Sequence, residues 1–166
     1  IIQRIEMNEK KNLTIEETFA LAVQNHRKNN LQVAEKLYKK VLNINSNDLQ
    51  SNFLLGTLSA QTKKFEIAKQ LLNKSIEINP NYIDAHNNLG LVFNELGEYQ
   101  KAKSCIEKAI EINPSYASAH NNLGLVYKNL VELQKAKICY EKAIEIDPNF
   151  VDAHNNLGTV FKRLGE

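Results

Sequence analysis

Tryptophan is absent from this 166-residue chain, methionine occurs once, and there are only two cysteines, three prolines and six glycines. In a secreted protein two cysteines would suggest a disulfide, a question that their spacing decides below. Charge of one sign is also missing. Twenty-one Lys+Arg against nineteen Asp+Glu leave +2, and no block of five like charges occurs, so the basic stripe that tracks phosphates is not there and no nucleic-acid partner is expected. No apolar run approaches the roughly 18 residues of a membrane span, and no signal-peptide core precedes a cleavage site. No membrane partner is expected, and the cytoplasm is favoured because this segment carries no signal peptide. The length allows one domain with a real core and is too short for a catalytic domain plus a large accessory one. A start at Ile1 suggests a fragment or a processed chain, with Met7 as a second candidate start. The richness in Asn, Lys and Ile fits AT-rich codons, so not every Asn need be selected.

What is present is a period. Ala85-His86-Asn87-Asn88-Leu89-Gly90 recurs at residues 119–124 and 153–158, each step being 34 residues. Residues 83–116 and 117–150 agree at 22 of 34 positions. Self-similarity at such a period is the signature of a repeat architecture. Cys105 and Cys139 are the same position in successive units. Stacked helix pairs hold equivalent positions about 10 Å apart, beyond the ~7 Å limit for a disulfide, so two free thiols are expected.

Within each unit the pattern predicts a helical hairpin. Leu89, Val92, Phe93 and Leu96 follow the 3.6-residue period, as do Ala102, Ile106, Ala109 and Ile110. Gly97 lies between the two runs, where the chain must turn, and Pro80, Pro114 and Pro148 close the units. Small residues face each other across the hairpin at Ala22/Ala34, Gly56/Ala68, Gly90/Ala102 and Gly124/Ala136, which lets two helices approach closely.

These features resemble the tetratricopeptide repeat (TPR) family over about residues 13–166. Its spaced pattern maps to His86, Leu89, Gly90, Phe93, Ala102, Ile106, Ala109 and Pro114, and then to His120, Leu123, Gly124, Tyr127, Ala136, Tyr140, Ala143 and Pro148. Departures are local: Thr18 and Asn52 replace the first aromatic, Val131 a turn glycine, and Ser46 the first proline. The resemblance implies an all-α, right-handed α-solenoid of antiparallel helix pairs, a TPR superhelix forming one continuous domain. The expected units are a divergent 15–48, then 49–82, 83–116 and 117–150, with 151–166 as helix A of a fifth. Residues 1–14 form the N-terminal segment, the end of a helix B or a cap.

His86, His120 and His154 share one repeat position about 10 Å apart, whereas a zinc ligand must lie near 2.0–2.1 Å from its ion; they read as packing residues. No Cys/His pair has ligand spacing, no glycine-rich loop follows a strand, and no nucleophile motif occurs. No catalytic residue, metal or cofactor is expected, and the segment is not expected to be an enzyme.

The resemblance implies a concave surface lined by helix A at unit positions 2, 5, 6, 9, 12 and 13. The candidate peptide-binding residues there are Asp84, Asn87, Asn88 and Asn94, then Asn121, Asn122 and Lys128, then Asn155, Asn156 and Lys162. A carboxamide offers two donors and an acceptor, so a ladder of Asn can pair with an extended peptide backbone. The long Asn-rich TPR arrays of O-linked N-acetylglucosamine transferases resemble this feature. The other reading is that the Asn side chains cap local backbone, bond to the neighbouring helix, or follow codon bias. In the first two units the same face is apolar, with Phe19, Ala20, Val23, Phe53, Leu54 and Ala60. The paired basic residues of the TPR chaperone-tail clamp are replaced by Phe19, Val23, Asp84 and Asn88, so that ligand is not expected.

The first reading of function is therefore a non-catalytic scaffold that binds a protein or peptide segment. The second is a self-assembling structural protein, stacking head to tail into filaments through Ile1, Ile2 and Ile5 against Leu157, Val160, Phe161 and Leu164. The third is the TPR targeting arm of a larger transferase.

Overall fold

The structure, a computed structural model, describes residues 13–165. Among these, nine helices occur and no strand: α1 (Ile15–Arg27), α2 (Leu31–Ile44), α3 (Leu49–Gln61), α4 (Phe65–Ile78), α5 (Ile83–Glu95), α6 (Tyr99–Ile112), α7 (Ala117–Asn129), α8 (Leu133–Ile146) and α9 (Val151–Leu164). The fold is an all-α helical-repeat solenoid. The helices gather into two compact units, the first reaching Ile78 and the second starting at Asn79, and each is taken by itself below.

In both units an odd-numbered and an even-numbered helix form a tight pair: α1 with α2, α3 with α4, α5 with α6 and α7 with α8. Sequence chemistry fixes the ends. Thr14 accepts from the Glu17 amide at 3.1 Å while the Glu17 carboxylate accepts from the Thr14 amide at 3.0 Å, a reciprocal cap that satisfies two otherwise orphaned donors. Asp48 caps α3 by accepting from the Ser51 amide at 2.7 Å.

The turn inside each hairpin needs a left-handed residue, and it recurs at the period of the sequence. Asn29, Lys63, Gly97 and Val131 have φ of 60°, 58°, 74° and 63°, and Gly165, at the same step of 34 residues after α9, has 79°. Asn tolerates this region and glycine suffers no penalty there, but a β-branched residue is a genuine outlier. The turn between hairpins is set by an Asx pattern. Asn45, Asn79, Asn113 and Asp147 each accept, through the side chain, from the amide two residues on, at 3.0–3.1 Å. Because the first of these turns closes in the same way with Ser46 at its second place, proline is dispensable to it.

The core runs between the paired helices. Ala34, Ala68, Ala102 and Ala136 are all fully buried. In the first unit Ala22, Ala34, Tyr38, Leu55 and Leu58 cluster; in the second, Ala102, Ile106, Ala109, Ala119, Leu123 and Val126 form one cluster and Ala136, Tyr140 and Val160 another. A Cβ at Gly90 would lie 3.0 Å from the Ala102 carbonyl, and one at Gly124 would lie 2.6–2.9 Å from ring atoms of Tyr140. At Gly158, the equivalent place on α9, nothing lies within 4 Å.

Two stability tests come from these positions. Val131→Gly relieves a left-handed conformation that costs an L-residue about 1–2 kcal/mol, less the ~0.5–1 kcal/mol entropic cost of glycine; urea denaturation is expected to move to higher midpoint. Gly124→Ala overpacks against Tyr140 and is expected to cost roughly 1–3 kcal/mol, whereas Gly158→Ala should gain up to about 1 kcal/mol through helix propensity alone. Opposite shifts of melting temperature check the pair.

Candidate functional site

The Asn pairs of the second unit meet each other. Asn122 Nδ2 donates to Asn87 Oδ1 at 2.9 Å, and Asn156 Nδ2 donates to Asn121 Oδ1 at 3.1 Å. Each bond joins position 5 of one odd-numbered helix to position 6 of the next. A second track does the same further along the helices: Asn129 Nδ2 donates to Asn94 Oδ1 at 2.9 Å, joining position 12 to position 13. Within helices, Asn87 and Asn121 also reach toward Asn88 Oδ1 and Asn122 Oδ1 at 3.5 and 3.4 Å, which are weak contacts. The result is one directed chain, Asn156 to Asn121 to Asn122 to Asn87 to Asn88, crossing α9, α7 and α5.

Burial divides the chain into two rows. Asn87, Asn94 and Asn121 are 4%, 6% and 7% exposed, while Asn88, Asn122 and Asn156 are half-buried and Asn155 is exposed. The inner row supports and the outer row faces solvent. A carboxamide has two N–H groups and two lone pairs on oxygen. Asn122, which gives one N–H to Asn87 and takes a weak contact from Asn121, keeps one donor and one acceptor site for something else.

The other expected groove residues fare differently. Asp84 accepts from the Tyr116 hydroxyl at 2.7 Å, so it ties the turn before α7 to α5. Burial, and then that carboxylate, push the Tyr116 phenol well above its ordinary range. Lys128 is half-buried and Lys162 exposed. In the first unit the same face is apolar, with Phe19 and Leu54 joining one cluster, and a cavity of about 460 Å³ is lined by Phe19, Ala20, Val23, Gln24, Arg27 and Lys28.

The histidines do more than pack. His86, His120 and His154 each carry the Nε2 proton to a carbonyl six residues back, that of Pro80, Pro114 or Pro148, at 2.8–2.9 Å. Asn52, at the same place in the first unit, donates to the Ser46 carbonyl at 3.0 Å. The residue departs from the pattern while its hydrogen bond does not. Among the described residues no group of three or more His, Cys, Asp and Glu is placed to hold a metal, and no helix is long and apolar enough to cross a membrane. Cys105 and Cys139 are free thiols, and burial pushes both up to about 11.

Of the residues expected at an assembly interface, Ile1, Ile2 and Ile5 lie outside the described residues. Val160 is fully buried in the cluster with Ala136 and Tyr140, and Leu157 and Leu164 pack against it. Val160 is therefore core and not contact surface. Phe161 is half-buried, with the Lys137 ammonium 4.7 Å from its ring centroid.

Tetratricopeptide-repeat family models match residues 49–82, 83–116, 117–150 and 139–166. The chain belongs to the tetratricopeptide repeat family. No curated protein sequence matches it. Among solved structures, a crystal structure of MamA is 30% identical, with a TM-score of 0.77 over 87% of this chain and 84% of that one. The thermophilic TPR protein TTC0263 of Thermus thermophilus superposes with a TM-score of 0.80 at 21% identity, over 92% of this chain and 84% of that one. The first TPR of Spaghetti (RPAP3), bound to an HSP90 peptide, gives 0.68 at 24% identity, over 74% and 97%. The last two likenesses concern the fold alone.

In this TPR chain the polar partners are 35 residues apart, one repeat plus one residue. Repeat self-similarity, which reports steps of 34, does not display that offset. The pairing predicts a measurable coupling. Asn87→Ala should cost about 1–3 kcal/mol by orphaning a half-buried amide, and a double-mutant cycle with Asn122→Ala should return an interaction energy of at least about 0.5 kcal/mol in urea unfolding.

Proposed function

We propose that this TPR chain is a protein-interaction scaffold that holds an extended peptide across α5, α7 and α9. The observation that carries this reading is the carboxamide chain, whose inner row is buried and hydrogen-bonded while Asn88, Asn122 and Asn156 stand outermost. Asn87, Asn94 and Asn121 position the outer row, and Asn155 extends it at the exposed end.

The spacing supports a backbone ligand. Successive hairpins advance by about 10 Å, the packing distance of helices, and three residues of extended chain span about 10 Å at ~3.3 Å each. A peptide running across the helices thus offers a backbone N–H or C=O to each Asn in step with the repeat. An amide is suited to both, because it donates and accepts. The complex of a Spaghetti (RPAP3) TPR with an HSP90 peptide supports peptide capture by this fold, although the residues here differ from those a chaperone tail requires.

The test is selection from a displayed random decapeptide library. The triple variant Asn88→Ala, Asn122→Ala, Asn156→Ala is expected to lose at least tenfold of the recovered peptides while remaining helical by circular dichroism at the selection temperature. Undiminished recovery by the folded variant would overturn the reading.

A further inference from the structure

Within the second unit the second polar track breaks between α7 and α9. Positions 12 and 13 are joined by Asn94 and Asn129 at 2.9 Å between α5 and α7, and by His26 Nε2 and Gln61 Oε1 at 3.4 Å between α1 and α3. By the same register the two places between α7 and α9 are Lys128 and Arg163, with Lys162 next to Arg163. Two cations stand in the places where Asn94 and Asn129 share a hydrogen bond and His26 and Gln61 make a weak contact.

General basicity does not explain this, since the chain's formal charge is only +2. Lysines of the second unit's even-numbered helices are matched locally: Lys101 with Glu98, Lys103 with Glu107, Lys108 with Glu111, Lys135 with Glu132 and Lys142 with Glu145. Lys128, Lys162 and Arg163 have no ion-pair partner among the described residues. The acids of α5 and α9 do not answer them. Asp84 is tied to Tyr116, Glu95 at the end of the adjacent α5 makes no ion pair with Lys128 among the described residues, and Asp152 precedes Arg163 by eleven residues, roughly 16 Å at ~1.5 Å per residue.

Lys128 also carries a second cost. Its counterpart in the first unit, His26, contacts the Tyr38 hydroxyl at 3.3 Å. Tyr140, the counterpart of Tyr38, is fully buried and its hydroxyl has no hydrogen-bond partner among the described residues. A residue that leaves a buried hydroxyl unmet and shares its register place with a second unpaired cation is poorly chosen for stability, and such local conflicts gather at functional sites.

We infer that Lys128 and Arg163, with Lys162 beside them, form a site for a carboxylate side chain of the peptide held along the Asn row. The inference rests on the groove reading above and adds to it the ligand's chemistry: an extended segment carrying Asp or Glu at one fixed place. Asn156 and Arg163 are seven residues apart, two helical turns or about 10 Å, a gap that a Glu side chain from the peptide and an Arg side chain from α9 close between them. Bidentate capture of a carboxylate suits the guanidinium. Three cations at one place suit a single carboxylate better than a phosphate backbone, which rewards a long basic track.

The same displayed decapeptide library, panned on the wild-type chain and on the variant Lys128→Asn/Arg163→Asn, tests it. That variant restores the amide pair seen at Asn94 and Asn129 and should be at least as stable. Asp or Glu should be enriched at one position of the wild-type selection, and the enrichment should vanish in the variant while peptides are still recovered. A synthetic acidic peptide from the selection should bind the wild type at least about fivefold more weakly in roughly 300 mM than in roughly 50 mM salt. Peptides recovered without acidic enrichment, or enrichment that survives in the variant, overturn the carboxylate site and leave the Asn row standing. No recovery by the wild type overturns the groove reading and this inference with it. Binding of a fluorescein-labelled oligothymidylate at the peptide's affinity would overturn the choice of a protein ligand.

Discussion

The tight seating of small residues between paired helices is the constraint on which the rest depends. A Cβ at Gly90 would lie 2.4 Å from Ile106 Cγ1 and 3.0 Å from the Ala102 carbonyl, so a larger residue there forces the neighbouring helix or its side chains to shift. That contact sets how near an even-numbered helix lies to its partner, and through it how the next hairpin is seated. The Asn87–Asn122 bond of 2.9 Å tolerates little change, since N–H···O bonds fall within about 2.7–3.2 Å. An ångström of splaying in a hairpin would break the polar track, so small residues that touch no Asn still govern the Asn chemistry.

The Asn row is costly on its own terms. Asn is a mediocre helix former, and a carboxamide taken from water without a partner costs about 1–3 kcal/mol by mutational measure. Pairing across the junction offsets both. It also gives direction, because in all three bonds the donor belongs to the later helix and the acceptor to the earlier one. A hydrophobic contact at these places would seat the helices without fixing their register, as Phe19 and Leu54 do in the first unit's cluster. Directed amides specify a register and leave Asn122 a donor and an acceptor to spare.

Much of this was legible in the residues. The period, the hairpins, the facing small residues and the left-handed turn at Gly97 all express local geometry, which a sequence displays directly. Pairing between hairpins does not, because it depends on the rotation of one hairpin against the next, and that rotation comes from packing. So Asn87 and Asn122 read equally well as ligand contacts or as neighbours. Chemical identity also hid a common role, for Asn52 differs from His86, yet each donates to the carbonyl six residues before it. The turn at Val131 was visible only as a missing glycine. The left-handed φ of 63° shows that the geometry is kept and the residue bears the strain.

The fourth repeat concentrates the exceptions, and each has a satisfied counterpart elsewhere. Val131 is strained where Gly97 is not. The Tyr140 hydroxyl is unmet where that of Tyr38 reaches His26. Lys128 and Arg163, two cations, occupy the places where Asn94 and Asn129 bond. The last two share one cause, since Lys128 stands in the place of His26, whose two ring nitrogens serve a neighbouring hydroxyl and a neighbouring amide at once. An imidazole or carboxamide there would resolve both conflicts with no change of backbone. Codon composition favours Lys and Asn alike, so composition alone does not choose the costlier of the two. The carboxylate ligand proposed above would, because it would supply in a complex the partner that the free chain withholds.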